Sequence, residues 1–69
     1  MDYLTENVAV NLKRIRQSKG MSLDRASEQT GVSKSMLSQI ENDLASPSVG
    51  TLEYLASVLN VRLSWLLAD

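Results

Sequence analysis

The chain has 69 residues, of which 43% are hydrophobic, and its formal net charge at pH 7 is -1. It contains no cysteine and no histidine, which excludes a disulfide framework, a Cys or His metal site and an imidazole or thiolate catalyst. We therefore expect one domain over residues 1–69, with no metal and no cofactor. No stretch approaches the roughly 18 apolar residues of a membrane span, and the acidic start lacks the basic region of a signal peptide. These features predict a cytoplasmic protein.

Charge is distributed unevenly along the chain. Residues 13–34 contain six cations and two carboxylates, a local excess of +4, whereas residues 35–69 contain Arg62 and four carboxylates. This distribution predicts a molecule with one positive and one negative end. Cations near the end of a helix are also favoured by the helix dipole, so the pattern alone does not identify a partner.

The punctuation of the chain predicts five short helices. Gly20, Gly31, the stretch from Asp43 to Ser48 around Pro47, and Asn60 separate five segments, and none of these segments alternates with the two-residue period of a strand. The two glycines are placed to end helices in the left-handed conformation. The predicted fold class is therefore all-α, a compact bundle of five short helices.

The first and last of these helices are the least sharply bounded. Val8, Leu12 and Ile15 recur at helical spacing and define the apolar face of the first helix. Its start is capped by either Asp2 or Thr5. The last helix, within residues 62–67, begins with an arginine, which is a poor cap.

Two of the predicted helices form a helix-turn-helix unit over about residues 22–42. Ser22 caps the first helix, Gly31 allows a tight turn, and Ser33 caps the second helix. Val32 is expected to drop into the core between them. Because a short turn fixes the crossing angle, the second helix can project from the domain and enter a groove about 12 Å wide.

The second helix of this unit, residues 34–42, separates two kinds of side chain. When residues 34–44 are placed on a helical wheel, an arc of roughly 140° is polar. The polar residues are Lys34, Ser35, Ser38, Gln39 and Asn42, whereas Leu37, Ile40 and Leu44 lie opposite. Such polar groups can bind base edges and phosphates in a major groove, whereas a solvated face usually carries Glu and Lys. Composition alone is equally consistent with an ordinary solvated face.

Short motifs at a distinctive combined spacing run through the chain. They are Met21-Ser22-Leu23, Gly31-Val32-Ser33, Leu37-Ser38-Gln39-Ile40-Glu41-Asn42, Ser46-Pro47-Ser48-Val49, Thr51-Leu52, Leu55-Ala56 and Leu59-Asn60-Val61. Together they resemble the Cro/C1-type helix-turn-helix family, also called the XRE family, over about residues 8–67. The stretch from Gly31 to Glu41 is similar to the N-terminal DNA-binding domain of cupin-containing bacterial transcriptional regulators.

The resemblance implies a lambda repressor-like DNA-binding domain that inserts the helix of residues 34–42 into the major groove. By position, the residues that it implies for base reading are Lys34, Ser35, Ser38 and Gln39. The residues that it implies for contact with the DNA backbone are Ser22, Ser33 and Asn42; anions are favoured at helix starts such as that after Ser22.

The wheel also places Glu41 on the apolar side of the same helix, where a carboxylate needs a cation. In the resembled family an arginine late in the first helix usually supplies this cation. In this chain that arginine is Arg16. We therefore predict a structural ion pair between Arg16 and Glu41 that fixes how the first helix meets the helix of residues 34–42.

Some positions depart from the family pattern. Leu23 stands where many members have a glutamine, and Asp43-Leu44-Ala45 replaces a glycine followed by basic or polar residues, which removes cations that grip the DNA backbone. Non-specific affinity for DNA should therefore be modest. Met36, at the border of the polar arc, either contacts a thymine methyl group or fills a gap in the bundle, and gap filling is favoured.

The C-terminal segment is rich in large apolar side chains, including Leu63, Trp65 and Leu66. Three interpretations stay open: a homodimer contact, an internal cap on the bundle, and a docking face for another domain. Dimerisation is favoured, because it would place two helices about 34 Å apart, facing successive major grooves of a pseudo-palindromic operator.

The sequence therefore supports three functions in order. The first is a sequence-specific double-stranded DNA-binding transcriptional regulator, most simply a repressor that acts as a homodimer. The second is a protein-interaction module that uses the serine-rich face or the Trp65 patch, which the acidic balance and the missing loop cations favour slightly. An enzyme comes last, because isolated Asp, Glu, Ser and Lys residues on small helices offer no base, oxyanion hole or pocket.

Overall fold

The computed structural model describes the backbone of residues 3–69 and the side chains of residues 5–69. In this range the chain forms five α-helices and no strand. They are α1 (Tyr3–Ser18), α2 (Leu23–Thr30), α3 (Lys34–Glu41), α4 (Val49–Leu59) and α5 (Leu63–Leu67). The predicted all-α bundle of five short helices is confirmed. None of the described helices combines the length and apolarity needed to cross a lipid bilayer.

Serine side chains begin three of the helices. The Oγ atoms of Ser22, Ser33 and Ser48 each accept a hydrogen bond of 3.1 Å from a backbone N–H in the first turn of α2, α3 and α4. Each bond satisfies a donor that the start of a helix leaves without an internal partner, and the predicted caps Ser22 and Ser33 are confirmed. Of the two caps considered for α1, Asp2 lies outside the described residues, and Thr5 lies inside the helix and does not cap it.

Left-handed residues follow the four longer helices. They are Gly20, Gly31, Asp43 and Asn60, with φ angles of 67°, 75°, 59° and 59°. A residue of this conformation turns the backbone so that the last carbonyl groups of the helix can accept hydrogen bonds from the residues that follow. The sequence marked the two glycines, the stretch from Asp43 to Ser48 and the asparagine as boundaries, but it did not predict the left-handed conformation of Asp43.

The end of α3 lies near Asn42, as predicted, but the residues after it do not continue the helical wheel that was extended to residue 44. The backbone N–H of Asp43 donates to the carbonyl of Ile40 at 3.1 Å, and that of Leu44 donates to Gln39 at 2.8 Å. These two bonds form a Schellman motif, which ends the helix near Asn42. Leu44 is consequently 74% exposed, and its predicted place on the apolar side of the wheel is wrong.

One core joins all five helices. α1 packs against α3 and α5, α2 packs against α3 and α4, and α4 packs against α5. The central cluster consists of Val8, Leu12, Met21, Ala26, Leu37, Ile40, Leu52, Leu55 and Leu59. The turn residue Val32 is half-buried against this cluster, as predicted. Because Leu37 and Ile40 are each only 1% exposed, the inner side of α3 is firmly anchored to the bundle.

The short helix α5 is held mainly through its C-terminal end. Arg62 gives it no side-chain cap, in agreement with the sequence analysis. The side-chain amide of Asn11 instead donates to the carbonyl of Leu66 at 3.0 Å, and that of Asn7 donates to Leu67 at 3.2 Å. These bonds satisfy carbonyl groups that the end of a helix leaves free, and Asn11 is buried while it makes them. This role of Asn11 was not predicted from the sequence.

Candidate nucleic-acid interface

The outer side of α3 carries the polar residues that the wheel placed together. Lys34, Ser35 and Gln39 are exposed and Ser38 is half-buried, whereas Leu37 on the other side is buried. The two-sided character of α3 is therefore as predicted at these positions. Their part in reading bases stays a prediction. We call Lys34, Ser35, Ser38 and Gln39 the reading face.

The turn before α3 is fixed by one buried hydroxyl group. The backbone N–H of Gly31 donates to the carbonyl of Ser27 at 2.9 Å, which closes α2. Thr30, only 1% exposed, donates its hydroxyl to the carbonyl of Ala26 at 2.8 Å and accepts the N–H of Val32 at 3.1 Å. The turn is thus tied to the preceding helix, and the angle at which α3 leaves it is constrained. This role of Thr30 was not predicted, since a threonine at a helix end is not distinctive.

Lys34, at one end of the reading face, is paired with a carboxylate from α2. Its Nζ lies 3.2 Å from Oδ1 of Asp24, and the two side chains are 58% and 73% exposed. An ion pair so open to water contributes about 0–1 kcal/mol, so Lys34 can exchange this partner for another at small cost. Asp24 was not among the predicted site residues, because ten positions and a turn separate it from Lys34.

Three residues were predicted to contact the DNA backbone, and two of them, Ser22 and Ser33, lie at helix starts. The hydroxyl oxygens of Ser22 and Ser33 accept bonds from their own helices, which leaves each hydroxyl hydrogen able to donate to an anion. Both side chains are exposed at places where the helix dipole favours a phosphate. Asn42 differs, because its side-chain amide donates to the carbonyl of Ser38 at 2.8 Å and so helps to end α3.

Met36 lies beside the reading face. Its side chain is 42% exposed, so the prediction that it fills a gap in the bundle is wrong. The physical reason is that Leu37 and Ile40 already close the inner side of α3. An exposed, flexible thioether in this position suits contact with an apolar group such as a thymine methyl.

The predicted ion pair between Arg16 and Glu41 is present, and it is bidentate. Nε of Arg16 lies 2.7 Å from Oε2 of Glu41, and Nη2 lies 2.9 Å from Oε1. The third contact of the guanidinium is a bond of 2.8 Å from Nη1 to the backbone carbonyl of Met21. The side chains of Arg16 and Glu41 are only 14% and 5% exposed. One arginine of α1 thus contacts both the end of α3 and the residue that precedes the cap of α2.

This geometry also acts on the protonation of the arginine. The hydrogen bonds to Glu41 raise the pKa of Arg16 above its ordinary value, burial opposes this rise, and the negative charge of Glu41 adds to it. The guanidinium therefore stays charged under all conditions in which such a domain folds.

The C-terminal helix divides the three residues that were predicted to form one surface. Leu66 is 0% exposed, so its assignment to a dimer or docking surface is wrong. Leu63 is half-buried and lines, with Leu67, an apolar cavity of about 220 Å³ between α1, α4 and α5. Residues 63, 66 and 67 share one side of a helix and turn inward together, which leaves Trp65 37% exposed on the other side. Tyr54, on the adjacent helix α4, is 51% exposed and was not identified from the sequence.

Comparison with known proteins places this geometry in a family. A helix-turn-helix family model (HTH_3) matches residues 12–66. The HTH-type transcriptional regulator SutR of Escherichia coli K12 is 48% identical over 64 residues, which are 93% of this chain and 36% of SutR. A crystal structure of an HTH_3 family transcriptional regulator from Vibrio cholerae aligns with a TM-score of 0.85 and 43% identity, over 91% of this chain and 35% of that one.

A third comparison includes nucleic acid. The crystal structure of SinR, the master regulator for biofilm formation, in complex with DNA aligns with a TM-score of 0.81 and 40% identity. The alignment covers 88% of this chain and 98% of the SinR chain. By contrast, this chain spans only about a third of the length of SutR and of the Vibrio regulator.

These matches decide one of the two resemblances that the motifs suggested. The likeness to cupin-containing regulators stays a prediction. The family match covers most of the chain, and it includes the turn, the reading face and the bidentate ion pair. The chain belongs to the Cro/C1-type helix-turn-helix family.

Proposed function

We propose that this chain is the sequence-specific double-stranded DNA-binding domain of a transcriptional regulator. The observation that carries the proposal is the form of α3, whose inner side is anchored by Leu37 at 1% exposure while Lys34, Ser35 and Gln39 remain exposed. A helix with its side chains is about 10–12 Å across and fits a major groove about 12 Å wide. The similarity to SinR, which was crystallised with DNA, supports DNA as the partner.

The reading face supplies the groups that such binding needs. A lysine can donate to O6 and N7 of guanine, a glutamine can form two bonds with adenine, and a serine can bond to several bases. Lys34, Gln39, Ser35 and Ser38 take these roles in the proposal. Ser22, Ser33 and Asn42 would contact the phosphate backbone, which positions the helix without reading sequence. The proposed action is binding alone, with no catalytic step.

The simplest regulatory outcome is repression, in which the bound protein occludes a promoter. We propose that the chain binds a pseudo-palindromic operator as a homodimer, with two copies of α3 about 34 Å apart. Exposed Trp65 supports a contact through α5. With bacterial DNA as its partner, the protein would act in the cytoplasm.

Sedimentation tests the dimer. The wild type at micromolar concentration should sediment as a dimer and Trp65→Ala as a monomer, because loss of the indole removes the largest exposed apolar group of α5. Identical monomer masses for both proteins would remove the dimer proposal and leave single-site binding intact.

Selection of bound duplexes from a random pool tests DNA reading directly. It would give the site, its symmetry and its spacing together. On the selected site, Gln39→Ala should lose about 1–3 kcal/mol of binding free energy and relax the preference at one base pair. Gln29→Ala makes the same truncation on α2, outside the reading face, and should leave the base preference unchanged. Equal effects of the two variants would contradict the assignment of Gln39.

The salt dependence of binding separates DNA recognition from the second candidate, a protein-interaction module. The net charge of -1 and the absence of cations from the loop over residues 42–48 favour that candidate slightly. With about five phosphates neutralised, the logarithm of the association constant should fall with the logarithm of salt concentration at a slope near -4 to -5. If the domain is a protein-interaction module, the association constant for its protein partner should depend far less on salt concentration. The domain should then also show no preference for any DNA duplex over a polyanionic competitor.

A further inference from the structure

We infer that Asp24 is a specificity determinant of the domain. Its ion pair with Lys34 opposes contact between Lys34 and the phosphates of any DNA, but it does not oppose contact between Lys34 and a guanine edge. The inference rests on the proposed function of α3. It concerns a residue of α2 that has no assigned role in binding.

The ion pair of Asp24 with Lys34 joins α2 to α3. Asp24 lies in the first turn of α2 and Lys34 is the first residue of α3, so the pair spans the two helices of the unit at the start of the reading face. Nζ and Oδ1 are 3.2 Å apart, and both side chains are more than half exposed. The neighbouring cation Arg25 contacts Glu28 at 3.5 Å, so within the described part of the chain Lys34 is the cation paired with Asp24.

The ion pair of Asp24 with Lys34 lowers the affinity of the domain for DNA of arbitrary sequence. Non-specific affinity arises when cations neutralise phosphates and release the counterions condensed on them. Lys34 already has an anionic partner, so it must leave Asp24 before it can neutralise a phosphate fully. Once it has left, the carboxylate of Asp24 repels that phosphate. The pair therefore weakens binding wherever Lys34 has only phosphates to contact.

A contact between Lys34 and a guanine differs from a contact between Lys34 and a phosphate. O6 and N7 of guanine are neutral acceptors, and they do not repel a carboxylate as a phosphate does. The ammonium group of a lysine has three hydrogens to donate, so Lys34 can bond to a guanine edge and keep Asp24 as a partner. The carboxylate thus opposes phosphate contacts more than base contacts. Its effect is to increase the ratio of operator affinity to non-operator affinity.

Replacement of the carboxylate by an amide of the same shape tests this inference. Asp24→Asn should tighten binding to a scrambled duplex about two- to fivefold, the range expected for loss of one exposed ion pair. It should also steepen the salt slope on that duplex by about 0.9, the contribution of one additional phosphate contact. Affinity for the selected operator should rise by a smaller factor, so the specificity ratio should fall.

Control variants separate this effect from the change in net charge. Glu53→Gln removes one exposed carboxylate on α4 and should leave the ratio unchanged. Asp24→Glu retains the charge and should keep a specificity ratio close to that of the wild type. In a Lys34→Gln background, Asp24→Asn should improve binding to the scrambled duplex by a smaller factor than it does in the wild type. Circular dichroism of each variant would verify the fold, which a substitution at this exposed position should preserve.

The outcomes are distinct. An equal gain on both duplexes for Asp24→Asn, or the same gain in the Lys34→Gln background, would overturn the inference while operator binding by the wild type still supports the proposed function. A wild type that binds no duplex would overturn the proposed function and this inference with it.

Discussion

The ion pair between α1 and α3 allows a sharp test of what holds the reading face in place. Glu41→Gln keeps the size of the side chain but removes the charge opposite Arg16. Two hydrogen bonds of 2.7 and 2.9 Å join the native groups. The amide oxygen of glutamine can accept one of them, whereas its NH2 group would face a guanidinium N–H, so the other bond is lost.

The magnitude follows from burial. A hydrogen bond to a charged group contributes about 1.5–3 kcal/mol, and removal of one partner of a fully buried pair costs about 3–5 kcal/mol. Because Arg16 is 14% exposed, water can reach part of the abandoned cation. We expect the free energy of unfolding to fall by about 2–4 kcal/mol, and in a domain of this size each lost kcal/mol lowers Tm by about 4–8 °C.

Urea denaturation followed by circular dichroism measures this loss, with the m-value as a check that the unfolding reaction is unchanged. Glu53→Gln makes the same chemical change at an exposed site of α4 and should stay within about 0.5 kcal/mol of the wild type. In Arg16→Met/Glu41→Gln no charge is left buried, so the double variant should be more stable than the sum of the two single effects predicts.

Two results would refute this reasoning. A loss below about half a kcal/mol in both Glu41→Gln and Arg16→Met would mean that water solvates each group as if it were exposed. Strict additivity in the double variant would mean that the two side chains do not stabilise the fold through each other.

Three further stability predictions can be checked by the same denaturation experiment. Asn11→Ala should cost about 1–3 kcal/mol, because carbonyl groups at the end of α5 lose their donor; fluorescence of Trp65, the one tryptophan in the chain, should report the change locally. Asp43→Gly should raise the free energy of unfolding by about 0.5–1 kcal/mol, because glycine adopts the φ of 59° without strain and no buried carboxylate oxygen is left without a hydrogen bond; a decrease would contradict this account. Leu37→Ala should cost about 2–5 kcal/mol, whereas Met36→Ala, the adjacent exposed residue, should change stability by less than about 0.5 kcal/mol; comparable losses would show that α3 is not two-sided.

Local sequence signals predicted most of the helices. Ser22 and Ser33 mark helix starts, Gly31 marks a left-handed end, and each acts through hydrogen bonds to residues at most four positions away. The apolar spacing within α3 placed Leu37 inside and Gln39 outside for the same reason, since the period of a helix is a local property. The ion pair of Arg16 with Glu41 was reached differently, because the wheel showed that Glu41 needed a cation and the family resemblance supplied it.

The misplaced residues are those whose environment depends on more than one element. Leu66 looked like part of a surface because composition counts apolar groups without showing which side of α5 meets α1. Met36 was predicted to fill a gap because it lies at the border of the polar arc. Only the assembled bundle shows that there is no gap at that position. Leu44 was misplaced for a subtler reason, since Asp43 ends α3 in a conformation for which glycine is the usual signal.

The sequence by itself determined where α2 and α3 begin, which sides of α1 and α3 are apolar and which family the chain resembles, because these properties depend on neighbours within a turn or two. The tertiary structure decided that Asn11 satisfies the end of α5 and that Asp24 meets Lys34. Both contacts join different helices, and their distances depend on crossing angles that no single segment of sequence encodes. A helix can be specified by its own residues, but the partner of an exposed charge depends on how two helices are held together.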